Sequence, residues 1–171
     1  AHRRPQEWSG FQQFRDSLRG PRPGWLIEER WKHDMRNLGT LGGGNHFIEL
    51  QASDEGDLWL MIHSGSRNLG YRIAAWHHKA AQSVCRDSGV ALPHKDLAFL
   101  SAGSAAGQAY IRDMTLALRY ALENRHRMMA AFQGVVAKHF PGIEFTREVN
   151  IHHNFAALEP HAGREVWVHR K

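Results

Sequence analysis

Cysteine is nearly absent from this 171-residue chain, where Cys85 is the only one. A single thiol cannot close an intrachain disulfide, so small scaffolds stapled by such bridges are excluded and a reducing, cytoplasmic setting is expected. Long apolar runs are missing as well. No stretch approaches the ~18 apolar residues of a membrane span, and the Arg-rich start lacks the apolar centre of a signal peptide. Proline is sparse, and three of the six prolines fall within residues 1–24. That basic, Pro/Gly-rich opening is expected to be a surface segment, with a short helix around Phe11–Leu18. Negative charge is in deficit: 17 Asp and Glu face 22 Lys and Arg, for a net charge of +5. Arg carries the excess, and its guanidinium forks onto phosphate oxygens better than an ammonium does, which suits a phosphate-rich partner. With 42% hydrophobic residues the chain can bury one substantial core, so one domain is the default.

Against these shortages stand 16 glycines and 13 histidines. They coincide in the stretch Leu38-Gly39-Thr40-Leu41-Gly42-Gly43-Gly44-Asn45-His46-Phe47-Ile48-Glu49-Leu50. Glycines at 39, 42, 43 and 44 let the backbone take positive φ and approach a ligand closely. Asn45 and His46 follow as hydrogen-bonding and metal-ligating groups, and Phe47–Gln51 reads as a strand. No Lys-Ser/Thr follows the glycines, so this is not a Walker loop, and no helix opens within the run as a dinucleotide site requires.

The remaining elements come in order. Trp25–Arg36 is too charged for its periodicity to assign. Ser53–Asp57 is a turn, and Leu58–Ile62 is an apolar run that fits a buried strand pairing with the first. Helices are expected over Tyr71–Asp87, ending near Ser88-Gly89, and from Ser104 to Phe140, where Gly134 is a possible break and Pro141-Gly142 a stop. Cys85 falls inside the first of these as a packed thiol. Val90–Gly107 reads as a long loop. Ile143–Ile151 and Glu165–His169 are strand candidates around a loop at His152–Gly163. The class is α+β: hairpin strands in a mixed sheet beside long packed helices.

Three strand–loop junctions share one signature, a histidine among small polar neighbours: Asn45-His46, His63-Ser64-Gly65-Ser66-Arg67, and His152-His153-Asn154. An antiparallel hairpin places the start of its first strand beside the end of its second, so His46 and His63 should meet. Imidazole suits Mn, Fe, Co, Ni or Zn, and three histidines with an open position fit a catalytic rather than a structural metal. Arg67 could hold a phosphate that such a metal polarises. No Asp or Glu stands at an obvious ligand position beside the three, so the set is incomplete for a hard two-metal centre. His33, His77, His94, His126 and His139 stand alone and are expected to be structural or exposed.

These residues together resemble the RtcB family of RNA ligases. The likeness is carried by Gly39–Glu49, by His63–Arg67 and by His153-Asn154. It is extended by Leu97–Leu100, Gly107–Tyr110, Asp113-Met114, Asn124-Arg125 and Trp167–Lys171, and it covers residues 25–171 as the central part of a catalytic domain. It implies an RtcB-like fold and a GTP- and Mn²⁺-dependent ligase. Such an enzyme joins RNA 2′,3′-cyclic-phosphate or 3′-phosphate ends to 5′-hydroxyl ends through guanylylated intermediates, in tRNA splicing or RNA repair. By the same likeness His46, His63 and His153 would ligate manganese, two ions being expected in a complete site. Asn45, His46, Phe47, Ile48 and Glu49, with His153 and Asn154, would line the guanylate (GTP/GMP) pocket, and Arg67 would contact RNA phosphate. The family's Asp-x-Cys and His-Gly-Ala-Gly-Arg motifs, the latter carrying the covalent histidine, are absent from this sequence. A central fragment that is incomplete by itself is therefore expected. The competing readings are a non-catalytic RNA- or metal-binding module on the same scaffold and a histidine-metal phosphoesterase.

Overall fold

The computed structural model describes residues 6–18, 23–152 and 154–170. The apolar spacing of Phe11, Phe14 and Leu18 produces helix α1, Ser9–Ser17, and Phe14 is buried. The charged stretch that periodicity left unassigned is helix α2, Glu28–Asn37. Glu28 and Glu29 occupy its first turn and Arg36 its last, which complements the helix dipole. Only Asp34 and Met35 are buried, continued by Leu38, and one of the pair is charged, so an apolar stripe is hard to see in the sequence. Strands β1, Phe47–Ala52, and β2, Leu58–His63, pair antiparallel with Phe47 opposite His63. Helix α3, Leu69–Asp87, ends at Gly89 with φ +67 and buries Cys85 as a packed thiol. A single 3-10 turn, Lys95–Leu97, interrupts the following loop. Helix α4, Ala105–His139, starts where Ser104 Oγ accepts the Gly107 N–H, and it runs through Gly134 unbroken.

The last part differs from expectation. Residues 143–151 form no strand, and Val149 and Ile151 are exposed. Strand β3 is instead Phe155–His161, inside the stretch expected to be loop, and it pairs with β4, Arg164–Arg170. The turn decides this. Ala162 and Gly163 both have positive φ, the two-residue hairpin geometry whose twist matches that of the flanking strands. That turn gives 155–161 an adjacent partner, whereas 143–151 has none at hand. The α+β class holds, with hairpin strands and long packed helices. Among the described residues the strands make two separate antiparallel ribbons, since each pairing is local to its own turn.

α3 packs along α4, and α1 and β2 also meet α4. Phe14, Trp25, Met35, Leu38, Leu69, Ile73, Leu116, Ala117 and Tyr120 form the core. The opening segment therefore contributes Phe14 to it, with Trp8 and Phe11 packed alongside. Two buried carboxylates brace this core. Asp34 on α2 takes two hydrogen bonds from Arg72 on α3, at 3.0 and 2.5 Å. Burial holds its carboxyl above the ordinary range even though the Arg72 guanidinium pulls it down. Replacing that fork with an ammonium, Arg72→Lys, should lower stability by about 1–2 kcal/mol in urea unfolding, because one of two charge-assisted bonds is lost. An unchanged midpoint would show that the fork adds nothing over the charge.

Candidate functional site

Adjacent strands do most of the assembly. Because Phe47 stands opposite His63, His46 arrives beside His63, and their ring centroids lie 5.9 Å apart. The Phe47 ring stacks on His63 at 5.3 Å and 14°, which fixes the imidazole plane. The third member of the cluster is Arg67. It sits with Asn68 in a left-handed turn, φ +51 and +72, a conformation that costs energy for residues other than glycine. The turn aims the guanidinium back at the glycine loop, where Nε donates to Thr40 Oγ1 at 3.0 Å.

Gly42 is where loop and cluster touch. Its φ is +97, and a Cβ there would lie 1.8 Å from Arg67 Nη1 and 2.6 Å from His46 Nδ1. The glycine is thus the space that a guanidinium and an imidazole share. Gly43, by contrast, has nothing within 4 Å, and Gly44 is open but has φ +78. Asn45 and Glu49 are exposed, and Gln51 donates to Glu49 at 2.6 Å. Ile48 is exposed too, while Asn154 lies exposed just before β3. His153 is outside the described residues. Its neighbour His152 is partly buried, and burial together with the Arg125 charge pulls its pKa below the ordinary value, favouring neutral imidazole.

Two residues that periodicity and spacing did not place at the site hold its parts together. Asn124 on α4 is fully buried. Its Oδ1 accepts the N–H groups of Gly39 and Thr40 at 2.7 and 3.1 Å. Its Nδ2 faces Thr40 O, Ser64 Oγ and Gly65 O at 3.1–3.2 Å. Ser64 Oγ in turn donates to Leu41 O at 2.7 Å. The next residue, Arg125, donates to Ser64 O, Asn150 Oδ1 and Ile151 O at 3.1, 2.8 and 2.9 Å. A signal for Asn124 does exist in the sequence. It falls at helical spacing between Tyr120 and Met128, on the stripe that faces the core, where a polar side chain must have partners.

Chemically, two imidazoles side by side form a borderline-soft donor pair, and the guanidinium beside them calls for an anion. Among the described residues no group of three or more His, Cys, Asp or Glu could hold a metal ion. His46 and His63 are two imidazoles of the kind a divalent transition metal takes, and Gly42 leaves the space that His46 and Arg67 occupy. The family comparison then decides the affiliation. The family model described as tRNA-splicing ligase RtcB matches residues 6–171.

The chain belongs to the RtcB family.

Three RtcB relatives show the extent of the likeness. The RNA-splicing ligase RtcB of Escherichia coli K12 is 36% identical over 155 residues, 87% of this chain and 37% of the relative. The RNA-splicing ligase RtcB of Mycobacterium tuberculosis is 35% identical over 164 residues, 85% of this chain and 38% of the relative. The tRNA-splicing ligase RtcB of Pyrobaculum aerophilum is 34% identical over 173 residues, 87% of this chain and 36% of the relative. The chain thus spans little more than a third of the length of these RtcB proteins. Among the described residues no helix is long and apolar enough to cross a membrane.

Proposed function

We propose that this chain, residues 25–171 above all, is one wall of the active site of a GTP- and Mn²⁺-dependent RNA ligase. The enzyme would act in the cytoplasm, joining RNA 2′,3′-cyclic-phosphate or 3′-phosphate ends to 5′-hydroxyl ends in tRNA splicing or RNA repair. The observation that carries the reading is the His46–His63 pair with Arg67 beside it, His46 and Arg67 both closing on Gly42. When bound, Mn²⁺ would neutralise phosphate charge and polarise the phosphorus under attack. His46 and His63, with His153 as third ligand, would present imidazole nitrogens to it. Arg67, steadied by Thr40 Oγ1, would take a phosphate oxygen of the RNA end. Asn45 at the exposed loop tip, with Phe47, Ile48, Glu49 and Asn154, would line the guanylate pocket. These groups contribute positioning and charge, and the sequence holds no His-Gly-Ala-Gly-Arg motif to supply a covalent histidine.

Manganese titration followed by electron paramagnetic resonance tests this. Wild-type chain should bind Mn²⁺, and His63→Ala or His46→Ala should abolish the bound signal. RNA ending in a 3′-phosphate should bind more tightly with Mn²⁺ present, and Arg67→Ala should weaken that binding and flatten its salt dependence. Radiolabelled GTP should leave no covalent label on this polypeptide. Salt-sensitive RNA binding indifferent both to metal and to end chemistry would instead favour a non-catalytic RNA-binding module. Phosphoesterase turnover abolished by His63→Ala would favour a histidine-metal hydrolase.

A further inference from the structure

Three separate chain segments meet at this site, and one turn of one helix touches all of them. Asn124 reaches the Gly39–Thr40 end of the glycine loop and the Ser64–Gly65 turn that follows His63. Arg125 reaches the same turn through Ser64 O and the 150–151 segment through Asn150 Oδ1 and Ile151 O. Asn150 answers by donating to Leu122 O at 3.3 Å. Loops carry conformational freedom that strands and helices lack, so holding ligands to a fraction of an ångström requires groups on a rigid element. We infer that Asn124 and Arg125 are positioning residues: from α4 they set the relative placement of His46 and His63, and of the 150–152 segment, without touching any ligand. This rests on the reading of that cluster as the metal and phosphate site. The chemistry is specific to these side chains. An amide both accepts from the loop and donates to the turn, which an aspartate cannot do. A guanidinium presents donors to three acceptors in one plane, which an ammonium cannot do.

The test reads ring resonances in histidine-labelled protein by NMR without metal, then Mn²⁺ affinity by electron paramagnetic resonance. Asn124→Asp keeps the acceptor for Gly39 and Thr40 but loses the donor to the turn, so the His63 ring signals should shift. Arg125→Lys should shift His63 and His152 together, while Arg119→Lys, an exposed residue of the same helix paired with Gln13, should move neither. In both positioning variants the Mn²⁺ Kd should rise by about tenfold or more, the usual cost of losing an outer support of a ligand. Asn124 is fully buried, so if Asn124→Asp loses its fold, Arg125→Lys, at a residue that is only partly buried, decides alone. Ring signals unmoved in a folded Arg125→Lys protein overturn the inference. Wild-type chain that binds no Mn²⁺ overturns the proposed function instead, and the metal-free spectra still judge the positioning role.

Discussion

Asp113→Ala should lower the unfolding free energy by about 3–5 kcal/mol, the cost of breaking a buried charge network. Asp113 on α4 is fully buried, and three side chains from different parts of the chain converge on it. Trp25 Nε1 and His77 Nε2 reach Oδ2 at 2.8 and 2.9 Å, and Arg112 Nε reaches Oδ1 at 2.8 Å. A carboxylate only accepts, so His77 carries its proton on Nε2. Alanine leaves an indole N–H and an imidazole N–H buried without a partner, which is worse than never having had the carboxylate. For a chain of this length the melting temperature should fall by roughly 10 °C. The pH dependence has a definite sign. Burial pushes the Asp113 carboxyl up, but hydrogen bonds from His77, Trp25 and Arg112 outweigh it, and the net shift is downward from 3.8. A carboxyl whose folded pKa is depressed stabilises the fold fully above its unfolded value and loses that contribution as pH falls through the folded one. The stability gap between wild type and variant should therefore be constant near neutrality and shrink only below about pH 4. Denaturant unfolding at pH 7 and pH 3 checks both parts, and a gap under about 1 kcal/mol at pH 7 would mean that water replaces the carboxylate.

The largest effect on the site itself is expected at Gly42. Gly42→Ala should remove Mn²⁺ binding, because its methyl group would overlap Arg67 Nη1 and His46 Nδ1 and drive both aside. Gly43→Ala, with open space and no positive φ, should bind like wild type. Gly44→Ala, with open space and φ +78, should cost about 1–2 kcal/mol of stability from backbone strain alone and keep the metal. Three adjacent glycines thus separate the two reasons a glycine is used, clearance and conformation. Equal metal affinity in Gly42→Ala and Gly43→Ala would show that the guanidinium and imidazole can withdraw from the loop at no cost.

Much of this was legible in the chain itself. The turn at Ser53–Asp57 and two apolar flanks suffice to pair β1 with β2, and that pairing alone carries His46 to His63. Local turns also explain the one misplaced strand. Apolar content is high in 143–151 and in 155–161 alike, and only the positive-φ pair Ala162-Gly163 distinguishes them. α2 escaped assignment because its exposed face carries nearly all its charge, leaving a single narrow edge to mark the buried side.

The sequence by itself determined which groups are present: the histidines at strand ends, the glycine loop, the surplus of arginine and the family to which they point. These are local properties, fixed by spacing and by the two-residue period of strands. Tertiary structure alone decided how they are held. Asn124 and Gly39 are 85 residues apart, and Asp113 and Trp25 are 88 apart. No periodicity encodes such partners, because a buried polar side chain takes its hydrogen bonds from whatever the packing brings to it.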